Sequence, residues 1–511
     1  MGPVEAAQAA AAITARAPSQ ACTSASIPSD LDCLARSRAG LLRSWSVNAR
    51  TSLSAPIAGL VIGLGLSACH PSPGAGPTDA NADSDHAVEE DPGPDVRGPD
   101  ADAARQAQAR AESQAKVDAS ARRIIQEVAS SRGLPVKGEF AVELISKDGV
   151  REFVREVMHE EMTPEEIRVT GRVQAALGVV PVGSDGEQVL LDLLEFGILG
   201  IYDPKRKVLL IGDFVDRGAL GMVVGHEGAH GLQDMHFDLE ALNHMNKGRS
   251  DLDTARTFLI EGDAQASYLA WMTGSEGVGS IGDDLLATQA DMVLQIRDGM
   301  GIPYPTLARM LQMPYTDGTR SVIELARSEG WTAVDALYAQ LPTTTEQMLH
   351  ADKLAAREPA RSVEIDTKVL LELATDHEVV YEDELGEASL VAMLADVASP
   401  FTARKAAAGW GGDRFVALER KTNQAPAPLV VGVIAWDSVA EAQQFEPVFR
   451  DYLEKHKPDA HLLVRTRDQV FYATHHDALS LAGAPDSTGR DAALTKAAAK
   501  AFAVGKAGKS K

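Results

Sequence analysis

The sequence predicts an α+β protein in which helices predominate, and three observations lead to this prediction. Apolar residues recur at helical spacing from about Arg105 to Leu177. The segment "GILGIYDPKRKVLLIGD" has the pattern of a β-hairpin, with strands Ile198–Tyr202 and Val208–Ile211 around Asp203-Pro204. Beyond about Arg357, strand patterns flank a helix and predict a smaller α+β domain. A chain of 511 residues can form two or three domains with separate cores.

Charge and cysteine content narrow the classes of function. The chain has 49 basic and 73 acidic residues, a formal net charge of -24. This argues against a nucleic-acid-binding protein, which normally presents a basic patch. The three cysteines, Cys22, Cys33 and Cys69, all lie near the N-terminus. A transition metal in the rest of the chain would therefore be bound by histidine and carboxylate side chains.

The N-terminal residues 1–69 have the features of an export signal preceded by an extension. The apolar run "APIAGLVIGLGL", residues 55–66, follows Arg43 and Arg50 and is too short to cross a bilayer as a helix. The next residues, "LSAC", resemble the bacterial lipobox, which predicts lipidation of Cys69. The Ala/Ser-rich residues ahead of this signal suggest that translation starts nearer Val47.

Residues 70–105 are rich in Pro, Gly, Asp and Ala and almost free of large apolar side chains. Such a segment cannot bury enough apolar surface to fold, so we expect a disordered tether. The order of signal, lipidated Cys69 and tether predicts an exported protein of the bacterial cell envelope that is anchored to a membrane by lipid.

Residues 106–356 are expected to form the larger folded domain. One helix begins at Thr163, which has Glu166 at capping-box spacing. Another is predicted from about Arg217 to Leu232. A third is predicted from about Asp251 to Met272, with Ser250 and Asp253 at the spacing of a helix start.

Residues 357–490 are expected to form the smaller domain. The segments "RFVALER", "LVVGVIAWDS" and "HLLVRTRDQVFYATHH" read as strands, and "AEAQQFEPVFRDYLEKH" reads as a helix. Residues 491–511 are rich in Ala and Lys and show no clear apolar stripe. They are expected to be a disordered, solubilising tail.

The stretch "VVGHEGAHGLQDMHF" predicts a metal site. His226 and His230 are four residues apart and therefore lie on one face of a helix, where two imidazoles can bind one zinc ion. Glu227 lies about 100° around the helix, where its carboxylate can take a proton from water that zinc has acidified. Gly228 and Gly231 are unfavourable in a helix, by up to about 1 kcal/mol each.

Two residues are candidates for the third ligand. His236 lies six residues after His230, as in the pattern HExxHxxGxxH, but Gln233 occupies the position of the helix-breaking glycine. Glu261 follows the apolar run Phe258-Leu259-Ile260, and a buried carboxylate there would need a partner such as zinc. We favour Glu261.

The HExxH motif, together with "EGDAQA", resembles the gluzincin-type zinc metallopeptidases. With "TTTEQMLHADKL" and "AAAGWGGDRF", the resemblance extends to poorly characterised bacterial metallopeptidases and lipoproteins and covers roughly residues 190–440. It implies a zincin-like domain that hydrolyses peptide bonds with zinc bound by His226, His230 and Glu261. Gly228 departs from the family, which usually has a larger apolar residue at this position.

The resemblance also suggests further roles. One strand of the hairpin would pair with an extended peptide or protein substrate. Tyr315 and His350 are candidates for donating a hydrogen bond to the oxyanion of the tetrahedral intermediate. Asp234 and Asp263 are candidates for orienting the histidines. The alternative is a non-catalytic, zinc-binding or purely structural module of the cell envelope.

Overall fold

The computed structural model describes residues 99–195, 198–422, 427–457, 461–474 and 490–505. The predicted signal segment, Cys69 and residues 70–98 lie outside this part of the chain. The first described helix begins at Pro99, so residues 99–105 are helical and the predicted tether was drawn too long. No helix of the described residues is both long and apolar enough to cross a membrane.

The first part of the described chain is mainly helical. Its elements are α1 (Pro99–Arg132), β1 (Ala141–Ile145), α2 (Lys147–Glu161), α3 (Pro164–Leu177), α4 (Gly186–Glu195), β2 (Gly200–Asp203), β3 (Val208–Gly212), α5 (Arg217–Phe237), α6 (Leu239–Leu242), α7 (Ser250–Thr273), a 3₁₀ segment (Gly274–Ser280), α8 (Asp283–Leu294), α9 (Pro305–Met313), a π-helical turn (Pro314–Gly318), α10 (Thr319–Glu329), α11 (Trp331–Ala339), α12 (Thr345–Leu349) and α13 (Ala351–Ala356).

The second part contains most of the strands. Its elements are β4 (Val363–Ile365), α14 (Thr367–Leu373), β5 (His377–Asp383), α15 (Gly386–Leu394), α16 (Pro400–Ala407), β6 (Trp410–Arg420), β7 (Leu429–Trp436), α17 (Val439–His456), β8 (His461–Thr466), β9 (Gln469–Thr474), α18 (Arg490–Ala501) and β10 (Phe502–Val504). The two parts together confirm a predominantly helical α+β fold.

A small sheet with the strand order β1-β3-β2 lies against α5. The predicted hairpin is present, since β2 and β3 are antiparallel, whereas β1 runs parallel to β3. At the other edge of β1, the side chain of Gln114 on α1 replaces a strand. Its amide nitrogen donates to the carbonyl of Val142 at 2.5 Å, and its oxygen accepts from the backbone nitrogen of Leu144 at 2.9 Å.

A five-stranded antiparallel sheet has the order β5-β6-β7-β9-β8. The predicted strand "HLLVRTRDQVFYATHH" is a hairpin of β8 and β9, with a turn at Arg467, whose φ is 56°. Helix α17 packs Phe445 and Phe449 against this sheet, beside Trp436 and Tyr472. These residues belong to the same apolar core as the helices of the first part.

The end of the described chain corrects the prediction of a disordered tail. Residues 490–501 form α18, and β10 pairs antiparallel with β4. Ala498 contributes to an apolar cluster with Val433 and Phe471 of the sheet, and Ala501 joins the cluster that contains Val416. Alanine lets a helix approach a sheet closely, so this face lacks the large apolar side chains by which a stripe is usually recognised.

The helix starts were predicted with mixed success. Thr163 forms the predicted capping box: its hydroxyl accepts from the backbone nitrogen of Glu166, whose carboxylate accepts from the backbone nitrogen of Thr163. Helix α7 begins at Ser250, as predicted, but the predicted cap is absent, because the hydroxyl of Ser250 donates to Asp383 at 2.5 Å and not to the helix.

Candidate metal centre

Helix α5 places His226 and His230 on one face, as their spacing predicts, and continues through Gln233 to Phe237. The glycines of this helix are explained by close packing. A Cβ atom on Gly228 would lie 2.7 Å from the side chain of Ile125 on α1, and one on Gly231 would lie 2.3 Å from the ring of Phe140. Glycine is unfavourable in a helix, but at these two positions it allows Ile125 and Phe140 to pack directly on the helix backbone.

Helix α7 brings Glu261 to the two histidines. The Nε2 atoms of His226 and His230 lie 3.2 Å apart, and each lies 3.2 Å from Oε2 of Glu261. His226, His230 and Glu261 are the one group of three or more possible ligands with this spacing within the described residues. Their exposed fractions are 1%, 3% and 0%.

This triangle of atoms fits a divalent metal ion. Corners of a tetrahedron with edges of 3.2 Å lie about 2.0 Å from its centre, close to the distances at which zinc binds nitrogen and oxygen. The other carboxylate oxygen of Glu261, Oε1, is buried and has no hydrogen-bond partner, which a bound metal ion would explain. Two imidazoles and a carboxylate suit zinc, and also other first-row divalent ions.

The electrostatics of the cluster favour a positive charge beside Glu261. Burial opposes a charge on His230, but the Glu261 carboxylate outweighs it and raises the pKa of the imidazole to about 9. Burial raises the pKa of Glu261, yet the two imidazoles lower it to about 2. Burial lowers the pKa of His226. A proton or a divalent cation can supply this charge.

Two glutamine side chains bind the outer nitrogens of the histidines. Nδ1 of His226 lies 3.1 Å from Oε1 of Gln265, and Nδ1 of His230 lies 2.8 Å from Oε1 of Gln233. Neither contact is predicted from the sequence, because a glutamine in a helix gives no distinctive signal.

The two predicted orienting aspartates have different partners. Asp234 accepts from the hydroxyl of Tyr202 and from Lys207, and neither bond involves a histidine. Asp263 reaches His230 only through Gln233, whose amide nitrogen lies 3.1 Å from Oδ2 of Asp263.

Glu227 is fully buried beside these ligands. Its Oε2 accepts a hydrogen bond of 3.0 Å from the backbone nitrogen of Tyr202 on β2. Its charge also contributes to the raised pKa of His230, as expected for a carboxylate next to the candidate metal ligands. Strand β3 is paired on both sides, so of the two predicted hairpin strands only β2 lies at an edge of the sheet.

Of the remaining predicted residues, Tyr315 lies beside the candidate ligands, whereas His350 and His236 have other partners. The ring of Tyr315 lies 5.6 Å from the ring of His226, centroid to centroid. Nε2 of His350 instead lies 2.8 Å from a carboxylate oxygen of Glu387. His236, the rejected candidate for the third ligand, has Nε2 2.8 Å from the carbonyl oxygen of Pro135.

The π-helical turn that contains Tyr315 packs directly on the helix that contains Glu261. A Cβ atom on Gly262 would lie 2.5 Å from the carbonyl group of Gly318, and one on Gly318 would lie 2.4 Å from the carbonyl oxygen of Phe258. π-Helical turns are frequent at functional sites. This contact was not predicted from the sequence, in which Pro314 within a helical pattern is the one local sign of an irregular turn.

The comparisons with known proteins concern only the C-terminal part of the chain. No curated protein and no solved structure matches the sequence. Residues 374–504 match the family model of a domain of unknown function, DUF8575. This segment includes the five-stranded sheet but none of the residues of the metal centre, so the match describes the second part of the molecule alone.

Proposed function

We propose that this protein is a zinc-dependent hydrolase of peptide bonds. The observation that supports the proposal is the triangle of ligand atoms of His226, His230 and Glu261, with edges of 3.2 Å and with Glu227 beside it. The resemblance of HExxH and Glu261 to gluzincin-type metallopeptidases points the same way. The motif "LSAC" further suggests attachment to a bacterial membrane through a lipid on Cys69, which the mass of the mature N-terminal peptide would test.

The residues of the site have separate roles in this reaction. His226, His230 and Glu261 would bind the metal, which supplies Lewis-acid chemistry by polarising a carbonyl group and acidifying water. Glu227 takes the proton of the attacking water and gives it to the leaving amine. Tyr315 donates a hydrogen bond to the oxyanion of the tetrahedral intermediate. The hydrogen bond from Tyr202 restricts the rotation of the Glu227 side chain.

Metal content tests the ligand assignment. The full chain, purified under metal-replete conditions, is expected to contain about one zinc ion, since the three residues form one site. His226→Ala and Glu261→Ala should lose it, whereas His236→Ala should keep it as the matched control. Loss of zinc in His236→Ala alone would overturn the assignment of Glu261.

Glu227→Gln tests catalysis. The change preserves size and removes the base, so zinc should remain bound while hydrolysis of labelled casein falls by about 10²–10⁴-fold. Undiminished hydrolysis would show that the proposed mechanism is wrong.

The burial of the ligands favours a second candidate function. His226, His230 and Glu261 are at most 3% exposed, as in sites where a metal stabilises a fold without turning over substrate. The protein would then be a metal-stabilised binding module of the cell envelope. Zinc in the wild-type protein without hydrolysis of any member of a peptide library would support this alternative.

A further inference from the structure

We propose that Arg132, the last residue of α1, positions His230 for the metal through Asp263 and Gln233. Arg132 donates to Asp263, Gln233 donates to Asp263, and the oxygen of Gln233 faces Nδ1 of His230. The inference rests on the metal site proposed above and concerns how its second histidine is oriented.

The hydrogen bonds of Gln233 determine which way its amide points. Its nitrogen Nε2 lies 2.9 Å from the carbonyl oxygen of Ile260 and 3.1 Å from Oδ2 of Asp263, and both of these groups only accept. The amide oxygen must therefore face His230, 2.8 Å from Nδ1. Because that oxygen can only accept, Nδ1 must carry a hydrogen.

A hydrogen on Nδ1 of His230 determines whether the other ring nitrogen, Nε2, can bind a metal. With Nδ1 protonated in the neutral ring, Nε2 of His230 keeps its lone pair. This atom lies 3.2 Å from both Nε2 of His226 and Oε2 of Glu261, so its lone pair is available to a metal bound by all three residues. Gln233 thus selects the form of His230 that can act as a ligand.

Asp263 holds Gln233 in place, and Arg132 is in turn the ion-pair partner of Asp263 in the interior. The carboxylate of Asp263 is 0% exposed. It accepts from Nε and Nη2 of Arg132, at 2.6 and 3.2 Å, and from the hydroxyl of Tyr338 at 2.9 Å. A buried carboxylate without such partners would be too costly to maintain in its charged form.

The guanidinium of Arg132 has two further partners, a carboxylate and an aromatic ring. It is 1% exposed, donates to Asp335 at 2.6 Å, and lies over the ring of Trp331, 4.5 Å from its centroid. This geometry needs the planar fork of arginine, because a lysine offers only one point of attachment. Arg132 is therefore a positioning residue that acts on His230 through two other side chains.

The test compares two buried arginines in the full chain. Arg309, 0% exposed and 3.1 Å from Asp396, bonds to Thr306 and two backbone carbonyls, not to a metal ligand. Arg132→Lys and Arg309→Lys should both lower the unfolding temperature. Only Arg132→Lys should weaken zinc binding, measured against a competing chelator, and only it should shift the visible absorption of the Co²⁺-loaded protein.

Gln233→Leu extends the test if Arg132→Lys does not fold. The leucine is close in size and leaves Nδ1 of His230 without an acceptor, so zinc affinity should fall by about 10–100-fold. Unchanged affinity and an unchanged Co²⁺ spectrum in this variant would overturn the inference, as would an equal loss of affinity in Arg309→Lys. A wild-type chain that binds no zinc would overturn the proposed function as well, which separates the two failures.

Discussion

Tyr315 and His350 offer the same hydrogen-bonding chemistry to an oxyanion but lie in different surroundings. The ring of Tyr315 contacts that of His226, whereas His350 is bound to the buried carboxylate of Glu387. A donor to the transition state has to lie beside the metal ligands, so the geometry favours Tyr315.

Tyr315→Phe therefore is expected to lower kcat for peptide hydrolysis by about 10²–10³-fold, because one donor to the oxyanion is lost. The zinc content should not change, since Tyr315 is not a ligand. His350→Gln is the matched control and should retain most of the activity. The reverse result, a large loss in His350→Gln alone, would assign the role to His350.

At the scale of single residues, the three residues of the candidate metal centre were easier to find in the sequence than the side chains that hydrogen-bond to them. Glu261 could be recognised because a carboxylate after Phe258-Leu259-Ile260 requires a partner. Gln233 and Gln265 could not, because a neutral amide in a helix is equally suited to solvent. Arg132 and Asp263 are 131 residues apart, and no local pattern indicates that they pair.

At the scale of elements, the site depends on how closely α7 and the π-helical turn approach each other. Gly262→Ala would place a methyl group 2.5 Å from the backbone of Gly318, where no flexible side chain can move aside. We expect a loss of about 3 kcal/mol in the free energy of unfolding, measured with denaturant, and weaker zinc binding because Glu261 is adjacent.

Gly279→Ala is the control for this change, because nothing lies within 4 Å of the added atom. Its free energy of unfolding should differ from that of the wild type by no more than about 0.5 kcal/mol. Equal effects of the two changes would mean that the close contact of Gly262 and Gly318 has no special importance.

The elements themselves were predictable where a local pattern determines them. The capping box at Thr163 and the hairpin around Asp203 depend on neighbouring residues, and both are present. Helix α18 depends on Ala498 and Ala501 meeting a distant sheet, which the sequence does not reveal. The π-helical turn is equally hard to predict, because its Gly318 packs against Phe258, 60 residues earlier in the chain.

At the scale of the whole molecule, Asp396 links α9 of the first part to α17, the helix that packs on the five-stranded sheet. It accepts from Arg309 on α9 and from Lys455 and His456 at the end of α17. Burial raises the pKa of Asp396, but the hydrogen bonds from His456 and Lys455 and the charge of Arg309 outweigh it and keep this pKa below its ordinary value.

Asp396→Asn is expected to lower the free energy of unfolding at pH 7 by about 3 kcal/mol, because Arg309 is left as an uncompensated buried charge. Since folding depresses the pKa of Asp396, its contribution is complete above the unfolded-state pKa of about 4 and decreases as the pH falls below it. Unfolding measured from pH 7 down to pH 3 should show the difference from wild type narrowing below about pH 4.

Asp451→Asn on the same helix provides the control, because Asp451 is exposed. It should leave the free energy of unfolding at pH 7 nearly unchanged. A difference between Asp396→Asn and the wild type that widens as the pH falls would contradict the expected sign.

The amide of Gln114 on the edge of β1 has a consequence for copies of the protein that are crowded together. An open strand edge invites a strand from another molecule, which is how many proteins aggregate. Here Val142 and Leu144 already have their hydrogen bonds from a side chain of the same molecule. A strand from another molecule would have to displace Gln114 to pair with β1 at these two groups. The side chain thus does part of the work of a fourth strand.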